Sequence, residues 1–303
     1  MSTGQFSVHP QVLKALDSGS PIVALESTII SHGLPYPQNL AAAKEFESIL
    51  VDAGVTPATI AVIDGVPTVG LDEAQLAKLA SEPTFKASVR DLPMLRAKKL
   101  TGATTVAATA HIAAMAGVHV FATGGLGGVH RGASETFDES ADIPTLANTP
   151  IVVVSAGVKS ILDIRATLER METLSVPLVG YKTDYFPSFW LPTSPYKLDW
   201  RCESALEVAE VFQAQRASES LAALLVANPV PHDQSWSEKE HDEIVTRALA
   251  TAENIEGKSV TPYLLDYIVK ASEGRSLEVN LALVRNNVRV AAEIAKEIAG
   301  LRS

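Results

Sequence analysis

Six short runs rich in valine and isoleucine, at 22–25, 59–63, 118–122, 151–154, 178–180 and 224–227, constrain this chain most, because each is too brief for a helix. Several lack polar alternation, as expected of strands covered by helices on both faces. Between them lie stretches with helical periodicity, at 38–53, 71–80, 104–116, 159–174, 205–217, 238–253 and 277–298. Strand alternating with helix predicts an α/β fold, a three-layer α/β/α sandwich around a mostly parallel or mixed sheet. The 303 residues read as one principal domain, with a helical C-terminal part from about residue 235.

Composition narrows the function classes. A hydrophobic fraction of 47% supplies a sizeable core, and a net charge of −10 argues against a nucleic-acid groove or an anionic membrane surface. A small anionic substrate stays compatible where lysines gather locally. The lone Cys202 excludes an internal disulfide, and the N-terminus shows no signal segment, so a cytoplasmic, reducing location is expected. The segment 101–129 has no Asp, Glu, Lys or Arg, but its threonines, glycines and two histidines fit a buried helix and strand better than a membrane span.

Candidate chemistry gathers after the apolar runs. Lys159 follows the run 151–157 and is expected to open the helix 159–174, at the carboxyl end of a buried strand where open α/β sheets bind ligands. An amine there is either a nucleophile toward a carbonyl carbon or an ordinary first-turn lysine in water. Glu26, ending Val-Ala-Leu-Glu, is either a general acid or base in a cleft or a half-buried carboxylate satisfied by its neighbours. Lys86 is a second cation for a phosphate or sugar oxygen, or a solvated lysine. Gly102-Ala-Thr-Thr-Val, with Thr105 and Val106, opens a helix whose amides can take a phosphate or simply be capped. The glycines of 124–128 and His130 follow a strand without matching the dinucleotide fingerprint or the P-loop, so NAD and ATP are excluded. Glu135, Asp138, Glu139 and Asp142 offer hard oxygen ligands for Mg²⁺ or Mn²⁺, or a solvated acidic loop, and zinc spacings are absent. Asn280, Asn286 and Asn287 either face a site or bond to backbone.

Together these blocks resemble the pseudouridine-5′-phosphate glycosidase family, which includes indigoidine-synthase-A-like proteins. The resemblance runs from about residue 6 to about residue 298 and is carried by Val-Ala-Leu-Glu-Ser-Thr-Ile-Ile-Ser-His-Gly-Leu-Pro-Tyr-Pro-Gln-Asn (23–39), Pro-Ala-Thr-Ile-Ala-Val-Ile-Asp-Gly (57–65), Gly-Ala-Thr-Thr-Val-Ala-Ala-Thr (102–109), Phe-Ala-Thr-Gly-Gly-Leu-Gly-Gly-Val-His-Arg (121–131) and Ser-Ala-Gly-Val-Lys-Ser-Ile-Leu-Asp (155–163). It implies a homotrimer that reversibly converts pseudouridine 5′-phosphate and water into uracil and ribose 5-phosphate, with Mn²⁺ or another divalent cation such as Mg²⁺. It further implies that Lys159 forms a Schiff base with C1 of the opened ribose and that Glu26 donates the proton. Lys86, Val106 and the Ser140-Ala141-Asp142 turn would contact substrate, Asp138 would hold the metal, and His130 and Asn280 would line the site. Partners are thus a sugar phosphate and a nucleobase or aromatic acceptor, not nucleic acid or membrane.

Two departures stand out. Glu139 replaces an expected apolar residue in the metal loop, and the segment 185–200 is unusually aromatic, as is the neighbourhood of Trp236. Those aromatics either pack on the scaffold or receive a flat acceptor larger than uracil. The latter would make the chain a C-ribosylating enzyme of secondary metabolism with the same lysine chemistry. A noncatalytic sugar-phosphate binder is the remaining reading, and it predicts binding without a lysine adduct.

Overall fold

The computed structural model describes residues 6–252 and 260–301. Its first half contains β1 (Ser7–Val8), α1 (Pro10–Ser18), β2 (Ile22–Leu25), a π-helical turn (Ile29–Gly33), α2 (Gln38–Asp52), β3 (Thr56–Ile63), β4 (Val66–Val69), α3 (Glu73–Ser81), β5 (Phe85–Ala87), α4 (Leu92–Lys98), β6 (Gly102–Thr104) and α5 (Val106–Met115). The second half contains β7 (Val120–Ala122), α6 (Ala133–Thr136), α7 (Asp142–Leu146), β8 (Val152–Ser155), α8 (Ile164–Thr173), β9 (Leu178–Tyr181), β10 (Arg201–Cys202), α9 (Ala205–Ala217), β11 (Leu224–Ala227), α10 (Glu238–Thr251), α11 (Val260–Ala271) and α12 (Arg275–Gly300). The end of the predicted helix 238–253 lies outside the described residues.

Five of the six predicted runs fall in one parallel sheet, of order β3-β2-β7-β8-β11-β9-β10, and the sixth, 59–63, covers the end of β3 where that strand leaves it. Every residue of β2, β8 and β11 is buried. Successive side chains of a strand point to opposite faces, so both faces must be covered, and the fold is α/β with helices on either side. The helix α12 lies across β2, β7 and β8 with α2 and α9 beside it, while α5 packs on β2 and β3. One core cluster runs from Val12 to Ile298, so α12 shares its apolar interior with the strands.

A smaller mixed sheet abuts the first. Residues Thr56–Thr59 of β3 pair with β2, whereas Ile60–Ile63 pair with β4 and, at Ala61 and Val62, with β6. Where the strand changes partners, the Ile60 carbonyl accepts hydrogen bonds from the Ser27 hydroxyl (2.7 Å) and the Thr104 hydroxyl (2.6 Å). A buried carbonyl must be paired, and these two hydroxyls supply what the ladder gives up there. The turn into β4 is Asp64-Gly65, with φ of 49° and 85°, the positive pair that a tight hairpin requires.

One sequence expectation is corrected. The helix predicted from 159 begins at Ile164, capped by Asp163, whose side chain accepts from the Ala166 amide at 2.9 Å. Residues before it satisfy their backbone against neighbouring loops, through bridges between Leu126 and Val158, Val129 and Asp163, and Gly157 and Ser188. Lys159 therefore stands on the loop after β8 rather than in a first helical turn.

Candidate active site

The parallel strands end on a common edge, where side chains from several loops converge, as open α/β sheets require. Glu26 follows β2, Thr123 follows β7, and Lys159 sits on the loop after β8. The Glu26 carboxylate accepts hydrogen bonds from the Thr28 and Thr123 hydroxyls, which fix it across two adjacent strands. The Lys159 amide donates to the Leu126 carbonyl (3.1 Å), and the Leu126 amide donates to the Gly157 carbonyl (2.9 Å), so the two loops brace each other. Glu26 and Lys159 line one cleft of about 160 Å³.

The small sheet delivers a cationic wall to that cleft. Lys86 is in β5, in register with Ala103 of β6, and the Thr105 amide donates to the Ala87 carbonyl at 2.9 Å. Thr105 is the N-cap of α5, so Lys86, Thr105 and Val106 place an ammonium, a hydroxyl and a helix N-terminus together on the lining. Asp142 locks this wall to the glycine loop. It is 6% exposed, one carboxylate oxygen accepts from the Ala107 amide (2.9 Å), and the other accepts from the Gly127 amide (2.8 Å). A Cβ at Gly127 would meet the Ser140 Oγ at 2.2 Å, so the loop can approach this closely only through glycine. Ser140 lines the cleft with Asp142, whereas Ala141 is exposed and does not line it.

Two histidines complete the polar side. Burial and the neighbouring Lys86 charge hold His32, on the π-helical turn, below the ordinary histidine range. Burial also lowers His130, assisted by Lys86 and Lys159 and opposed by Asp138, whose carboxylate lies 3.7 Å from Nδ1. Asp138 thus flanks His130 just behind the lining. Among the described residues no group of three or more His, Cys, Asp or Glu side chains converges, so Asp138 offers a cation one carboxylate. Hard cations that keep most of their water can bind through a single protein carboxylate, and the donor fits such an ion. The extra acid Glu139 is engaged elsewhere, accepting from Arg170 Nε at 3.0 Å.

The opposite end of the cleft is apolar. Phe189 and Val284 meet at Gly124, and Phe189 also closes over Gly125. Asn280 lies one helical turn before Val284 on α12, and Leu265 of α11 completes the wall. Phe186 and Trp190 are fully buried and pack on the scaffold, Tyr185 and Trp200 are exposed away from the cleft lining, and Phe189 is the ring the segment contributes to the lining. The other asparagines bond backbone: Asn287 Nδ2 donates to the Thr123 carbonyl (2.7 Å), and Asn286 Nδ2 donates to the Pro229 carbonyl (3.0 Å).

A profile of the family described as Indigoidine synthase A like protein matches residues 11–297. The chain belongs to that family. A pseudouridine-5′-phosphate glycosidase of Frankia alni is 56% identical over 95% of this chain and 81% of its own length. One from Saccharopolyspora erythraea is 53% identical, covering 97% of this chain and 98% of its own. Among solved structures, the prealnumycin C-glycosynthase AlnA, in complex with ribulose 5-phosphate, superposes with a TM-score of 0.92 at 33% identity, over 99% of this chain and 98% of that one. An indigoidine synthase A-like protein from Thermotoga maritima gives 0.90 at 35% identity over 99% of both chains.

Within this family fold, Glu26, Lys159, Lys86, Thr105, Val106, His130, Ser140, Asp142 and Asn280 all line the cleft. Among the lining residues that reading the sequence did not single out are His32, Leu265 and Val284, whereas Phe189 falls in the aromatic segment 185–200 for which both packing and reception of a flat acceptor were open. His32 had a local signal in its place six residues after Glu26. Leu265 and Val284 are apolar, with nothing in their spacing to separate them from core.

Proposed function

We propose that this indigoidine synthase A-like protein is a C-glycosidase that reversibly cleaves pseudouridine 5′-phosphate with water into uracil and ribose 5-phosphate. The carrying observation is the bipolar cleft: an amine and a carboxyl group stand between a cationic wall suited to a sugar phosphate and an apolar wall suited to a flat base. The names of the Frankia and Saccharopolyspora relatives support the same substrate, at higher identity than AlnA.

A carbon leaving group cannot be expelled as an ordinary glycosidic oxygen is, so the electrons need another source. The Lys159 amine takes C1 as the C1–O4 bond opens, and the released O4 takes the amine's proton. Glu26 then delivers a proton to C5 of the base. The nitrogen lone pair forms the C1=N bond as the C1–C5 bond breaks, and that bond's electron pair restores the C5=C6 double bond of uracil. Water hydrolyses the resulting Schiff base, giving ribose 5-phosphate and the free lysine. Lys86, Thr105, the Val106 amide, His130 and Ser140 hold the sugar phosphate, Asn280 meets the base, and Asp142 keeps the phosphate wall in place with Ala141 in the adjoining turn. Asp138 would hold Mn²⁺ or Mg²⁺, which would supply positive charge beside the phosphate. The functional particle is proposed to be a homotrimer. Among the described residues no helix is long and apolar enough to cross a membrane.

Borohydride trapping tests the central step. Incubation with ribose 5-phosphate and Mn²⁺ is expected to leave a reduced sugar-phosphate adduct on the intact wild-type chain and none on Lys159→Ala. An adduct retained by Lys159→Ala, or absent from wild type, would overturn the Schiff-base assignment.

A further inference from the structure

We propose that Trp190 is a positioning residue that sets which polar group Asn280 shows to the base, and hence that the cleft selects a ring carbonyl over a ring amino group at that point. This inference rests on the reading of the cleft given under Proposed function. Trp190 is 1% exposed, and its indole N–H donates to Asn280 Oδ1 at 3.3 Å. An indole nitrogen is a donor only, so it can face only the oxygen of the amide. The NH₂ group of Asn280 must then be turned away from Trp190, and among the described residues it donates to nothing else. Its side chain lines the cleft beside Phe189 and Val284, so the NH₂ is a fixed donor at the apolar end.

The indole is held firmly enough to impose that choice. Trp236 and His241 meet it edge-on, with ring centroids at 5.5 and 5.9 Å, and Phe189 tilts against it at 5.0 Å. The Trp236 amide also donates to the Trp190 carbonyl at 3.2 Å. Without the indole N–H, rotation of the amide by half a turn would exchange its donor and acceptor. A donor complements a carbonyl of a pyrimidine-dione and opposes an exocyclic amino group, where two donors would face each other. Sites that read a base by hydrogen bonding reject the mismatched analogue because a buried polar group is left unpaired.

The test uses Trp190→Phe, which keeps most of the ring volume and removes the N–H, in the synthesis direction with uracil and ribose 5-phosphate. The KM for uracil is expected to rise about tenfold, the size of one lost hydrogen bond, with the KM for ribose 5-phosphate and the yield of borohydride adduct unchanged. In an Asn280→Ala background the same substitution is expected to add no further change in the uracil KM, because its effect passes through Asn280. An equal loss in both backgrounds, or a parallel rise in both substrates' KM values, would overturn the proposal and leave Trp190 a packing residue. Failure of the wild-type adduct would instead sink the lysine chemistry and leave the amide geometry to be read from base binding alone.

Discussion

Asp142 shows how one side chain can matter to a site without offering it a free atom. Both carboxylate oxygens accept backbone amides, one at the start of α5 and one in the glycine loop. Asp142→Asn would turn an NH₂ group toward one of those N–H donors. The expected result is a loss of about 2 to 3 kcal/mol in stability, the scale of a buried hydrogen bond to a charged acceptor, read as a lower urea midpoint at unchanged slope. Binding of ribose 5-phosphate should weaken with it, because the wall carrying Thr105 and Val106 is no longer tied to the loop. The sequence marked Asp142 through its acidic loop and through the resemblance. That the carboxylate points inward could not be read there, since Glu139, three residues earlier, belongs to the same loop and turns outward to Arg170.

The helix α12 ties the site together from beneath. Its Asn287 is fully buried, donates to the Thr123 carbonyl at 2.7 Å and the Gly124 carbonyl at 3.3 Å, and accepts from Asn228 Nδ2 at 2.9 Å. Asn287→Ala would strand the Thr123 carbonyl and the Asn228 amide in the core, while the Gly124 carbonyl keeps the Ala156 amide at 3.0 Å, for an expected loss of about 2 to 3 kcal/mol by urea denaturation. Turnover should fall too, because Thr123 is a hydrogen-bond partner of Glu26. Elements with strong periodicity were legible: the central strands and α2, α5, α9 and α12 lie where apolar spacing puts them, within a few residues. The short elements were not. Two- and three-residue strands such as β1, β5, β6 and β10 have too few residues to show a period, and they exist only because a neighbour supplies the ladder. The hairpin into β4 had a usable signal in Asp64-Gly65. The false helical start at 159 has the opposite cause, for the local pattern was helical enough but pairing with the loops at Leu126, Val129 and Ser188 prevailed.

Across the molecule, acid should loosen the fold before it reaches the ordinary carboxylate range. Burial lowers His32, His111, His130 and His241 below the ordinary value of 6.5. The folded state therefore holds fewer protons on these rings than the unfolded chain just below that value. Their contribution to stability is complete above it and is lost as pH falls toward the lowered values. The urea midpoint is expected to drop between about pH 7.5 and about pH 5.5, and His241→Phe should make that slope shallower without flattening it. The bend in β3 acts over the same length scale. Lys86 rides on the small mixed sheet and Lys159 on the large parallel one, and among the described residues β3 is the strand both sheets share. The two amines are thus the jaws of a caliper whose opening is set at Ile60, wholly buried and gripped by two hydroxyls. Changes at Ser27 or Thr104 are therefore expected to widen or narrow the gauge between the two amines while leaving both jaws intact.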